Sequence, residues 1–203
     1  MRRWYLANGR SRCQNYDFIC LFDDLAASIN YFCFAYEINR ETTSQSDKSF
    51  IFVFMMNPFD DTYFMQHALK EAKLAFAKGE VPVGAVIVMN DKIIARGHNL
   101  TETLNDVTAH AEMQAFTAAS DFLGGKYLKE CTLYVTLEPC QMCAGASYWT
   151  QIGRIVYGAK DQQRGFVNYK TTLHPKTKVT QGVLSEACGT ILKRFFIEKR
   201  NLN

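Results

Sequence analysis

Two short stretches hold side chains whose types and spacing could do chemistry. His110 and Glu112 lie in Thr108-Ala109-His110-Ala111-Glu112, and Pro139-Cys140-Gln141-Met142-Cys143 follows some 30 residues later. One imidazole and two thiolates are a donor set that suits zinc. Three protein ligands leave the fourth tetrahedral position to water, which marks a catalytic zinc rather than a structural one. Zinc brings the pKa of that water toward neutrality and so provides a nucleophile at pH 7. Glu112, two residues from the histidine, can stand beside the water without ligating the metal and can carry its proton. Taken alone, Cys-x-x-Cys is as well explained by a structural zinc site or by two buried cysteines. Taken alone, Glu112 is a helix N-terminal acid complementing the dipole. The coincidence of the two stretches favours the catalytic reading.

These residues need elements to hold them. Asp60-Asp61-Thr62 can cap a helix in which Phe64, Ala68, Ala72, Ala75 and Phe76 recur at helical spacing, with Gly79 as its C-cap. Val81–Val88 reads as a buried strand bent at Pro82 and Gly84, Asn90-Asp91 as a turn, and Lys92–Arg96 as the returning strand. Gly97-His98-Asn99 opens a loop to Asp106. Thr108 is the expected N-cap of a helix to about Ser120, with His110 and Glu112 in its first turn. Cys131–Thr136 is rich in strand formers, and Pro139 suits the first position of a helix on which Cys140 and Cys143 share a face. The positive end of that helix favours thiolate. Gly153 closes it, Arg154–Ala159 is a fourth strand, and a short fifth lies near Lys178–Gln181. A last helix from about Leu184 to Lys199 should turn Leu192, Phe195 and Phe196 inward and Lys193, Arg194, Lys199 and Arg200 outward. Strands interspersed with helices in this order imply an α/β fold with a mixed sheet covered on both faces.

Composition narrows the class. The chain has 203 residues, room for one domain of about 150 residues plus an appendage. Its 48% hydrophobic and 21% charged content are ordinary for a soluble globular protein. Net charge is +3, but residues 160–203 hold nine Lys/Arg against three acids. Basic charge therefore gathers at the C-terminal end, as a phosphate-binding face requires and as a solvated helix face also produces. Seven cysteines, odd in number and without a repeat, do not form a disulfide framework, and two are wanted as thiolates. No apolar run reaches the roughly 18 residues that span a bilayer. The run Phe18–Phe22 behind Arg2-Arg3 is too short for a signal peptide and is stopped by Asp23-Asp24. A cytoplasmic protein without a membrane partner is the expectation.

Residues 1–55 resist a domain reading. Phe18–Tyr36 is rich in Phe, Tyr and Cys without a clean period, residues 40–49 are polar, and Phe50–Met56 is uniformly apolar, an aggregation-prone strand if exposed. Met55-Met56 marks a composition break just before the first helix of the following domain. Residues 1–56 are therefore expected to be an N-terminal extension, disordered or not part of the native product, and residues 57–203 the zinc-dependent domain.

His-x-Glu with Pro-Cys-x-x-Cys is the pattern of the zinc-dependent nucleobase deaminases. Longer strings narrow the resemblance. They are Glu80–Val86, Asn99, Asp106 with Thr108–Glu112, Leu133–Ala146 and Ile152–Asp161. On these, residues from about 57 to 203 resemble the bacterial tRNA-specific adenosine deaminases of the cytidine-deaminase-like superfamily. The chain departs at Val107, often proline in that family, and in residues 166–175, which are shorter than usual. The resemblance implies a three-layer α/β/α sandwich around a mixed five-stranded sheet, with one zinc per subunit on His110, Cys140 and Cys143. It also implies a homodimer that converts the wobble adenosine of a tRNA anticodon to inosine, through zinc-bound hydroxide with Glu112 as proton shuttle. Asn99, a loop amide that by itself could read a base edge or merely turn the chain, matches the family residue that contacts the flipped base. Two alternatives remain at this level: a deaminase of a free base or nucleoside of guanine or cytosine type, and a catalytically silent zinc-stabilised RNA-binding subunit. An intact Glu112 argues against the second. His98 and His174 are metal ligands only in principle, since zinc already has three.

Overall fold

Charge, capping and strand patterning translate into elements that the computed structural model describes for residues 10–13, 16–19, 31–39, 48–56 and 58–201. The chain divides at Asp60/Asp61 into two units. In the first, β1 (Arg10–Cys13), β2 (Tyr16–Ile19), β3 (Tyr31–Asn39) and β4 (Lys48–Met56) form an antiparallel sheet in that order. The apolar run Phe50–Met56 lies within β4, paired with β3 from Tyr31↔Met56 to Asn39↔Lys48. The expectation for residues 1–56 as a whole rests in large part on residues outside those described.

The second unit carries the zinc motif. Its elements are α1 (Asp61–Ala77), β5 (Gly84–Met89), β6 (Lys92–His98), α2 (Ala111–Leu123), β7 (Thr132–Leu137), α3 (Gln141–Thr150), β8 (Arg154–Ala159), β9 (Lys178–Gln181) and α4 (Ser185–Asn201). The sheet runs β6-β5-β7-β8-β9. β5 is antiparallel to both β6 and β7, whereas β7, β8 and β9 are parallel, so the sheet is mixed as expected. Asn90 and Asp91 both have positive φ, which makes the tight β5–β6 turn one whose twist matches the strands.

Side-chain alternation along the strands builds the two outer layers. Ala85, Ile87, Leu133, Val135, Ile155 and Tyr157 point to one face, where they pack with Ala111, Ala115, Phe116 and Ala119 of α2 and Ala144 of α3. Val86, Val88, Tyr134 and Val156 point to the other, against Phe64, Met65 and Ala68 of α1 and Cys188 of α4. An α/β/α sandwich results. Asp61, at the start of α1, accepts two hydrogen bonds from Arg154 (2.8 and 2.6 Å) and one from Tyr134 (2.9 Å), tying α1 to β7 and β8.

Several local expectations change. Gly97 and His98 extend β6 instead of opening the loop. Gln151, in the left-handed region at φ 53, caps α3, so the helix ends before Gly153. Val81–Val83 precede β5 rather than joining it, because proline at 82 cannot donate to a ladder. Only Phe195 of the α4 aromatics is buried; Phe196 is 49% exposed, and the inward positions go to Cys188 and Phe195.

Candidate active site

Two helix N-termini on one face of the sheet bring the motif residues together. His110 is the N-cap of α2, with extended backbone (φ −69, ψ 156), and Cys140 is the N-cap of α3 (φ −72, ψ 172). Neither uses its side chain to cap its helix, so both donor atoms are kept for another partner. Thr108 is not the cap expected from its sequence position. Its N–H and hydroxyl both donate to Asp106 Oδ1, at 2.8 and 2.7 Å, in a local turn that competes with helix entry, and α2 starts at Ala111. Glu112 and Cys143 fall in the first turns of α2 and α3.

His110 Nδ1 lies 3.6 Å from Cys140 Sγ and 3.5 Å from Cys143 Sγ, and all three donor atoms are within 4.8 Å of one another. Zinc bonds of about 2.3 Å to sulfur and about 2.0–2.1 Å to nitrogen give a tetrahedral N···S edge of about 3.6 Å. The donor chemistry and these spacings fit zinc, and among the described residues this is the one such group. The neighbouring Cys143 thiol, with help from His110, holds the Cys140 thiol down to about 4 against its burial. The hydrogen bond to Cys140, together with burial, pushes Cys143 up. A divalent cation in place of the proton keeps both as thiolates.

Glu112 is 4% exposed, so it is not a solvated dipole partner at a helix end. Burial raises its carboxyl pKa, opposed by its own backbone N–H and by the charge on His110, and it stands within hydrogen-bonding reach of Cys143. A carboxyl held there can take up and release a proton beside the cluster.

Two further buried carboxylates, to which the sequence reading assigned no role, fix the loops around the site. Glu138, 2% exposed, accepts the N–H groups of Asp161 and Val167, both at 3.1 Å. The Phe166 N–H donates to Pro139 O (2.9 Å), and Gly165 bridges Cys140; a Cβ at Gly165 would strike the Glu138 carboxyl. This pins residues 161–167 against Cys140; the Cys140 hydrogen bond raises the His110 pKa, and the charge of exposed Arg164 opposes that rise weakly. Glu80, 0% exposed, binds Asn99 and the backbone N–H groups of Glu102 and Thr103. Each acid ends or borders an apolar run, Glu138 after Leu133–Leu137 and Glu80 before Val81. That placement was the available signal, because a carboxylate buried there must find donors.

Asn99, 5% exposed, immediately follows β6, and its backbone donates to Val83 O. The other histidines stand apart from the cluster. His98 Nδ1 meets Glu71 Oε2 at 3.2 Å and its Nε2 meets Lys78 Nζ at 3.0 Å, while His174 accepts from the Lys176 N–H and lies against Tyr148. Lys193, Arg194, Lys199 and Arg200 are exposed on α4, as expected. Arg194 pairs with Glu198 at 2.7 Å.

Residues 58–159 match the family described as the cytidine and deoxycytidylate deaminase zinc-binding region. The tRNA-specific adenosine deaminase of Bacillus subtilis (strain 168) is 47% identical over 146 residues, 69% of this chain and 91% of the relative. The enzyme of the same name from Aquifex aeolicus (strain VF5) is 46% identical over 145 residues, 68% of this chain and 95% of the relative. A solved structure from a study of A-to-I editing by tRNA:A34 deaminases superposes with a TM-score of 0.62 at 42% identity, covering 64% of this chain and 99% of that one. A guanine deaminase from Nitrosomonas europaea shares the fold at 23% identity and a TM-score of 0.57, over 70% of this chain and 85% of that one. The cluster, the mixed sheet and these likenesses agree: the chain is a deaminase that belongs to the zinc-binding cytidine and deoxycytidylate deaminase family, in the branch of the tRNA-specific adenosine deaminases.

Proposed function

We propose that the protein hydrolyses adenosine to inosine at the wobble position of a tRNA anticodon. The observation that carries this reading is buried Glu112 beside His110, Cys140 and Cys143, in a chain whose relatives are named for that tRNA chemistry. His110 Nδ1 and the two sulfurs would hold one zinc per subunit, which supplies the Lewis acidity that makes water a nucleophile at neutral pH. Glu112 takes one proton from the attacking water and delivers it to the purine ring nitrogen as the C6–O bond forms, then carries the remaining proton of that oxygen to the amine. The C6–N6 bond then breaks, C6 keeps a carbonyl oxygen, and ammonia leaves. Asn99 contacts the target nucleotide, which must be splayed out of the anticodon loop to reach the pocket. An unpaired loop base is cheaper to extrude than one in a duplex.

A tRNA substrate supports the cytoplasm as the place of action. Among the described residues no helix is long and apolar enough to cross a membrane. We assign the activity to residues 57–203 and treat residues 1–56 as dispensable for it. A homodimer is supported by the outer surface of α3, where Trp149 is 77% exposed next to Tyr148. The deciding experiment incubates purified protein with unmodified arginine tRNA bearing an ACG anticodon and scores inosine at the wobble position, with free guanine, cytosine and adenosine in parallel. Glu112→Ala should abolish most inosine formation while keeping zinc and tRNA binding, a kcat loss of at least roughly 100-fold. Turnover of a free base with none on the tRNA would sink the substrate assignment.

A further inference from the structure

We propose that Glu80 is a positioning residue that sets the orientation of the Asn99 side-chain amide, so that Asn99 presents its carbonyl oxygen Oδ1 to the target nucleotide. The inference rests on Asn99 being the substrate-reading residue of the function proposed above, and goes beyond it by naming the atom and what aims it.

Polarity alone fixes the arrangement. A carboxylate can only accept hydrogen bonds. Glu80 Oε2 accepts from Asn99 Nδ2 (3.2 Å), the Thr101 hydroxyl (3.3 Å) and the Glu102 N–H (3.1 Å), while Oε1 accepts from the Thr103 N–H (2.6 Å). Thr101 spends its hydroxyl proton on Glu80, so toward Asn99 Nδ2, 3.0 Å away, it must act as acceptor. The Asn99 amide nitrogen is thus the atom turned toward Glu80 and Thr101, two acceptors that stand side by side. What the amide has left is its oxygen. Turning the amide over would set Oδ1 against a carboxylate oxygen and forfeit both bonds, inside a site where Glu80 is 0% and Asn99 5% exposed. An unmade bond to a buried charged group is costly, so the flipped state is not populated. Burial pushes the Glu80 carboxyl up, but the N–H groups of Thr103 and Glu102 outweigh it and hold the pKa below the ordinary value, so the acceptor-only form prevails near neutrality. Asn99 therefore accepts from a donor on the nucleotide, an exocyclic amine or a ribose hydroxyl.

The test is a double-mutant cycle read in kcat and KM for inosine formation on a wobble stem-loop, with zinc content and melting temperature measured for every variant. Glu80→Gln faces the Asn99 nitrogen with an amide and loses the single orientation. It should lower kcat/KM by roughly 10–100-fold with zinc retained, the scale of losing a positioned contact. Thr101→Val, which leaves the buried carboxylate in place, should act in the same direction and less. In an Asn99→Ala background, where there is no amide left to aim, each should change kcat/KM by less than about 3-fold, since residues that act as a unit are not additive. Glu80→Gln with wild-type kinetics overturns the proposal. So does an undiminished effect in the Asn99→Ala background, which would make Glu80 a scaffold residue only. Where Glu80→Gln fails to fold, Thr101→Val with and without Asn99→Ala decides by the same criterion. If the wild-type protein turns over a free base but not the stem-loop, the tRNA reading fails by itself, and the same cycle run on that base still judges Glu80.

Discussion

Gly97, near the end of β6, lies directly against the backbone of α2. A Cβ built there would stand 2.8 Å from Ala115 N and 3.1 Å from Gln114 Cβ, and closer still to Ala111 O. Ordinary contact starts at 3.4 Å, so Gly97→Ala forces the helix backbone outward by at least about 0.6 Å. Two of these atoms are main chain in the first two turns of α2, which cannot step aside as a flexible side chain would. Overpacking of this kind costs about 1–3 kcal/mol. At about 2–4 °C per kcal/mol for a chain of this size, the melting temperature should fall by about 2–12 °C. Ala111 directly follows His110, so the displacement also opens the 3.5–3.6 Å spacings between His110 Nδ1 and the two sulfurs. Misplacing a catalytic group by close to an ångström is worth up to about 100-fold in rate. The assay is calorimetry, zinc per chain at limiting metal, and inosine formation, with Gly189→Ala as control. Gly189 lies in α4, where a Cβ meets only Ala159 Cβ at 4.0 Å. That substitution should stabilise by about 0.5–1 kcal/mol through helix propensity. Gly97→Ala with wild-type melting, zinc content and rate would show that α2 has slack to give, and the packing argument would be wrong.

Cys140→Ala and Cys143→Ala should each lose zinc and melt at lower temperature together, because metal binding and folding are coupled; metal analysis showing full zinc in both would remove them as ligands. Charge reversal at Lys193, Arg194, Lys199 and Arg200 should raise KM for tRNA and flatten the salt dependence of binding while leaving zinc intact, as a salt titration on an anticodon stem-loop can measure. Within that set Arg194 should matter least, since its guanidinium is already paired with Glu198. For Glu80 the folded-state pKa lies below the ordinary 4.5, so its stabilisation is complete above that value and is lost as pH falls through the folded pKa. The gap in urea midpoint between wild type and Glu80→Gln should accordingly be full near about pH 6 and shrink as pH falls below the ordinary 4.5; a gap that widens on acidification contradicts the sign.

The candidate ligand set and the deaminase family were legible in one dimension, for a physical reason. A zinc ligand set is a matter of residue type and local spacing. His110, Cys140 and Cys143 sit at helix starts, although α3 begins at Gln141, two residues after the Pro139 start expected, and the structure brings their donor atoms within 4.8 Å. Elements with strong local patterns followed suit: α1 with its alanines at helical spacing, the Asn90-Asp91 turn, and the strands Arg154–Ala159 and Lys178–Gln181. Where two local signals competed, tertiary context chose between them. Thr108 could cap a helix or turn onto Asp106, and it turns, leaving His110 as the cap.

Only the fold could assign Glu80 and Glu138. In sequence each is a glutamate bordering an apolar run, which hints at burial and names no partner. Their role exists because the sheet buries them and the returning loops at 99–103 and 161–167 bring the N–H groups they need. The same holds for Phe196, whose apolar side chain says inward while α4 has room beneath it for Cys188 and Phe195 and not for a third face. Residue type states what a side chain can bind. Which partners reach it is settled by contacts between segments far apart in the chain, and local pattern carries no record of those.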